Sequence, residues 1–183
     1  MRHAMASTCL VLALGVSSCS KSIGDSGLST STTISVDAVK SIGSAELLKT
    51  MPWPPGITPR DLSPSAENQL ERMIFDDAEI AASVRDIAAV GLTIHGEPNG
   101  ALMFIRVAEP IIGNITFLNG LRAAALSTFE TARWGPMTGS LMRSDDQTWG
   151  VLPLTSVIVV AATTERLELD RVMNAVVRRF TRR

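Results

Sequence analysis

The order of elements predicts an α+β fold: a single domain built on a mainly antiparallel sheet, with helices packed on one face. Three observations predict it. Helical stretches alternate with paired strands, which favours hairpins over parallel crossovers. Leu154 to Ala162 is almost continuously apolar, with Val157-Ile158-Val159-Val160 at its centre, the pattern of a strand buried on both faces. Leu169, Val172, Met173, Val176, Val177 and Phe180 recur at three- and four-residue spacing, the core stripe of an amphipathic helix.

The earlier elements follow in order. Residues 36–50 place Val39, Ile42 and Leu47-Leu48 on the spacing of a short amphipathic helix. Met51-Pro52-Trp53-Pro54-Pro55-Gly56-Ile57-Thr58-Pro59 comes next. Its prolines fix φ and remove donors, so the segment is extended. Trp53 is its staple onto the domain, although a proline-rich run can also dock in a partner's aromatic groove. Ser63-Pro64 reads as an N-cap with proline at the first helical position. Leu70, Met73, Ile74, Ala78, Ala81, Val84, Ile87 and Ala88 continue a helix that Gly91 ends, with Asp76-Asp77 a point where it can divide.

A hairpin is expected from Leu92–His95 and Ala101–Val107, around the turn residues Glu97-Pro98-Asn99-Gly100. A second helix is expected from Thr116 to Ala132, burying Phe117, Leu118, Leu121, Ala125 and Phe129. Residues 137–143 and 148–152 pair around Ser144-Asp145-Asp146-Gln147. Thr164 caps the final helix. Glu165 and Glu168 open it, and Arg178, Arg179, Arg182 and Arg183 close it, matching the helix dipole and keeping that end soluble.

The N-terminus carries a different message. Arg2 and His3 precede an apolar run from Ala6 to Val16, broken only by Ser7 and Thr8, and small residues follow. This is the three-part pattern of a secretory signal. The run is shorter than the roughly 20 apolar residues that span a bilayer. Val16-Ser17-Ser18-Cys19 resembles the lipobox of bacterial lipoproteins. The resemblance covers residues 1–19 and implies that the Cys19 thiol receives a diacylglycerol, that residues 1–18 are removed, and that the new amine can be acylated. Val16 and Ser18 stand where that family more often has Leu and Gly or Ala. Cys9 lies inside the apolar run, too early for cleavage.

Cysteine usage agrees with this expectation. Only Cys9 and Cys19 occur, so removal of residues 1–18 leaves Cys19 alone, unable to form an internal disulfide. Two or three acyl chains satisfy the two-signal requirement for stable anchoring. Ser20 follows, not the Asp that retains such proteins at the inner membrane of enteric-type bacteria. Residues 19–35 then form a lipidated, Ser/Thr-rich tether, residues 36–62 the short helix and Pro-rich segment, and residues 63–183 the α+β domain.

Composition narrows function. Without Arg2, 16 Lys and Arg face 18 Asp and Glu, a net charge near −2. No bulk charge draws the chain to nucleic acid. Aromatics are 4% of residues with no Tyr, which disfavours base- or sugar-stacking clefts. His95 is the one histidine after the signal, and one imidazole does not make a zinc site. Gly139-Ser140 lacks the G-x-S-x-G elbow, and no phosphate loop or dinucleotide fingerprint occurs. Asp76, Asp77 and Glu79, and Asp145 with Asp146, are acidic clusters without calcium-loop spacing.

A weaker likeness covers about thirty residues. Ile80, Val84, Ile87-Ala88, Gly91-Leu92 and Ile94, followed by Pro98 and Gly100, resemble the helix-then-hairpin of the small N-terminal domains of secretins and their lipoprotein partners. The expectation that emerges is a non-catalytic envelope lipoprotein, a binding or assembly module with Cys19 as its lipidated residue and no catalytic, cofactor or metal residues. It would sit on the cell or outer membrane, facing periplasm or exterior, among other envelope proteins. The alternatives are a carrier of a small apolar ligand or lipid, which needs a sizeable cavity, and a carboxylate-based cell-wall hydrolase, which needs two facing carboxylates.

Overall fold

Apolar residues on both sides of one sheet set the architecture. The computed structural model describes residues 43–68, 78–109, 115–120, 129–143 and 146–181. Helix α1 (Ser44–Lys49) precedes strand β1 (Ile57–Arg60). Helix α2 is described over residues 64–68, and Ser63 caps it, its Oγ accepting from Ala66 N at 3.2 Å. Helix α3 (Ala78–Ser83), strands β2 (Val84–Ile94) and β3 (Glu97–Val107), and helix α4, described over residues 115–120, follow. Strands β4 (Phe129–Trp134), β5 (Met137–Arg143), β6 (Thr148–Pro153) and β7 (Val157–Thr163) lead to helix α5 (Arg166–Thr181).

All seven strands join one sheet in the order β1-β2-β3-β7-β6-β5-β4, and every neighbouring pair is antiparallel. The fold is therefore α+β. The chain leaves β3, reappears at the far edge as β4, and meanders back until β7 closes against β3. This return puts β7 at the centre, and all of its residues are buried.

The central strands divide their side chains by parity. Leu102, Phe104, Val157, Val159 and Ala161 face Leu47 and Leu48 of α1 and the Leu169–Phe180 stripe of α5. Met103, Ile105, Val107, Ile158, Val160 and Ala162 face the other way, with Ile80 of α3 and Phe117 of α4 in their cluster. Helices thus contact both faces, beyond the single helical face that the sequence predicts. The cause is that β3 and β7 are apolar on both sides. The segment ahead of Ser63 belongs to the first cluster through Leu47, Leu48, Met51 and Ile57, with Trp53 packed against it.

Three predicted elements differ. The helix expected to run to Gly91 ends at Ser83, and residues 84–94 are a strand. Ile87 and Ala89 pack on one face, and Ala88, Val90 and Leu92 on the other. A strand apolar on both sides shows no alternation, so its spacing imitates a helix. Val84, Ile87 and Ala88, expected on a helix ahead of a hairpin, lie on β2, and the helix that precedes the β2–β3 hairpin is the shorter α3. Likewise, the helix expected to reach Ala132 gives way by Phe129 to β4; Leu121 and Ala125 lie outside the described residues.

The third difference is the hairpin turn. It falls at His95-Gly96, where both residues have positive φ, 53° and 89°. Two such residues make a type I′ turn, whose twist matches the strands. The Pro98-Asn99-Gly100 stretch is a register irregularity instead: Leu92 pairs with Gly100, and Thr93 with Pro98. Asn99, squeezed out of the ladder, accepts a hydrogen bond from Thr164 N at 3.3 Å ahead of α5.

Candidate functional site

One end of the sheet carries a surface pocket. Gly135-Pro136 joins β4 to β5, with Gly135 at φ 57°, the first-position glycine of a tight hairpin turn. It delivers Met137 and Thr138 to the rim. The tight loop from β6 to β7, closed by Leu154 N donating to Val157 O at 2.7 Å, delivers Pro153, Leu154, Thr155 and Ser156. The last turns of α5 deliver Phe180. These seven residues enclose about 270 Å³. Met137, Leu154 and Phe180 make an apolar floor, and three hydroxyl groups border it. Its lining has no titratable side chain, so its chemistry is contact with apolar groups and hydrogen bonding through hydroxyls. Its volume lies just under the roughly 300–1,000 Å³ usual for small-molecule sites.

Polar side chains gather around α5. Glu168 is buried. It accepts from Arg171 at 2.8 and 3.1 Å and meets His95 Nε2 at 3.2 Å. Arg171 also donates to the Pro55 carbonyl. Three segments are tied here: the turn before β1, the β2–β3 turn and α5. His95, expected on a strand, occupies the turn itself and is largely exposed. One turn into α5, Asp170 accepts from Trp134 Nε1 at 2.7 Å and from Arg166 Nε at 2.8 Å.

Arg179 departs from the solvent-facing role expected of it. It is buried, donates to Thr50 Oγ1, and leaves its Nε without a partner. Burial pulls its guanidinium below the ordinary arginine value, and the Glu46 carboxylate opposes that shift. Arg178 is exposed, and Arg182 and Arg183 lie outside the described residues.

The acidic candidates do not assemble into a described site. Asp76, Asp77 and Asp145 lie outside the described residues, nothing is described of the Glu79 side chain, and Asp146 is exposed. Cys9 and Cys19 also lie outside them. Among the described residues no group of three His, Cys, Asp or Glu side chains is placed to hold a metal ion, and no helix is long and apolar enough to cross a membrane. The pocket went unread in the sequence because Met137, Leu154 and Phe180 are far apart in the chain. No turn was read at Gly135-Pro136 or at Pro153, although glycine and proline there are the signals that could have located the loops. No family model matches the chain, and no curated protein or solved structure matches it.

Proposed function

We propose that the chain is a membrane-anchored envelope lipoprotein whose domain is a non-catalytic binding or assembly module. The observation that carries this reading is Val16-Ser17-Ser18-Cys19 at the end of a short apolar run behind a basic start. Cys19 is the lipidated residue, and the membrane is reached through its acyl chains. The pocket between the β4–β5 turn, the β6–β7 loop and the end of α5 is the contact site. Its apolar floor and hydroxyl border suit one bulky apolar side chain of a partner protein. This pocket gives the carrier alternative little support, since about 270 Å³ holds little of a lipid.

Two experiments test this. In fractionated cells expressing the full chain, wild type is expected in the membrane fraction and Cys19→Ala in the soluble exported fraction; a variant that stays on the membrane contradicts the anchor. A photo-crosslinker at exposed Thr138 is expected to join an envelope protein. The adduct should weaken when Phe180→Ala removes the floor. A lipid adduct, or none, speaks against the module.

A further inference from the structure

Strand β4 ends one side of the sheet, and among the described residues no strand pairs with its outer edge. The turn to β5 has only Gly135 and Pro136, so the pair beside it, Trp134 and Met137, is the hydrogen-bonded kind. The ladder alternates. Ala132 and Glu130 therefore also turn their N–H and C=O groups toward β5, while those of Thr131 and Arg133 point past the edge. Both residues are exposed, and no register shift interrupts β4 against β5. The opposite edge is protected, because β1 has four residues and carries Pro59.

We propose that the β4 edge pairs antiparallel with the same edge of a second copy of this chain, about a twofold axis at Ala132. A self-complementary contact must match one patch to itself. Continuous faces require residues of equal parity to meet, and the open groups of Thr131 and Arg133 must find open groups. One register does both: Thr131 lies opposite the partner's Arg133, and Arg133 opposite the partner's Thr131, each pair exchanging both ladder bonds. No like charges oppose each other, and a threonine hydroxyl meets a guanidinium. On the other face Glu130 lies opposite the partner's Trp134. The guanidinium of Arg166, held by Asp170 at 2.8 Å, lies 6.0 Å from that indole's centroid within each chain, so each Glu130 carboxylate arrives on the side of a guanidinium. This charge match selects a second copy over an unrelated strand. The proposal is independent of the anchor at Cys19.

The test uses the full chain in cell membranes, oxidised and run without reductant. Thr131→Cys combined with Arg133→Cys sets cysteines opposite each other at Cα separations of about 5.5 Å, within disulfide reach. A dimer band is expected from this double variant and not from wild type, which controls for Cys9 and Cys19, nor from either single variant, whose cysteines are offset along the strand. In sedimentation of the purified full chain in detergent, Thr131→Lys, which opposes Lys to the partner's Arg133, should weaken the dimer at least tenfold. Thr131→Glu should hold it at least as tightly as wild type. The proposal is overturned by no band from the double variant, an equal band from Thr131→Cys alone, a crosslink to a different protein, or identical sedimentation of wild type and Thr131→Lys.

Discussion

Trp134 shows what one side chain costs to place. It is 1% exposed and lies across Gly139 of β5 and Gly150 of β6. A Cβ at Gly139 would meet the ring at 2.8 Å and the Val151 carbonyl oxygen at 2.3 Å. The two glycines open the slot, and Asp170 fixes the indole N–H. Gly139→Ala should therefore destabilise by about 1–3 kcal/mol through overpacking, and Trp134→Ala by about 3–5 kcal/mol through the cavity left. Denaturant unfolding measures both, and a Gly139→Ala midpoint equal to wild type would contradict the slot. Arg179 makes the opposite case. Its charge is buried with Nε unpartnered, and Glu46 is exposed. Arg179→Met should keep or raise stability, within about 1–4 kcal/mol of gain; a clear loss would show that the Thr50 and Glu46 contacts outweigh desolvation. The sequence placed Arg179 at a helix end but could not show α1 lying against it.

Among the elements, legibility followed how many faces each one buries. The final helix was readable because only one side is buried: Leu169, Val172, Met173, Val176 and Val177 are covered, while Leu167 is 67% exposed. Strand β7 was readable because Val157 to Ala162 is an unbroken run of branched or small apolar residues, of strand length and too short for a buried helix. Strand β2 was not, since apolar residues on both of its faces erased the period-2 signal, and the register irregularity near Val84 broke its parity. The turn at His95-Gly96 was missed because any residue other than glycine is uncommon at positive φ, whereas Pro98-Asn99-Gly100 holds stronger turn residues that form an irregularity instead. A sharp contrast within α5 is therefore expected. Val176→Asp should cost about 3–5 kcal/mol by burying an unpaired charge, and Leu167→Asp should change stability by no more than about 0.5 kcal/mol. Equal thermal shifts for the two would refute the assigned helix face.

At the scale of the whole molecule, the architecture and the proposed address rest on different parts of the chain. The domain is one antiparallel sheet whose central strand is the last to join, so β3 and β7 must meet across the excursion through α4 and the β4–β6 meander. Asp86 of β2 reaches across to α1, its Oδ2 accepting from Ser44 N at 2.7 Å. It stands in for a cap that Gly43 does not supply. Asp86→Ala should loosen α1 by about 0.5–2 kcal/mol, seen as faster amide exchange at Ser44–Leu48 before any change in α5; unchanged exchange would remove Asp86 from that role. The candidate site depended on this long-range closure and was not legible in the sequence. The proposed address rests instead on contiguous residues, Val16-Ser17-Ser18-Cys19 behind a short apolar run, which a processing enzyme would read in extended form. The most direct measurement is metabolic labelling of cells with fatty acid, comparing the full wild-type chain with Cys19→Ala. Lipidation at Cys19 predicts label on the wild type and none on the variant. An unlabelled wild type, or a labelled variant, would contradict it.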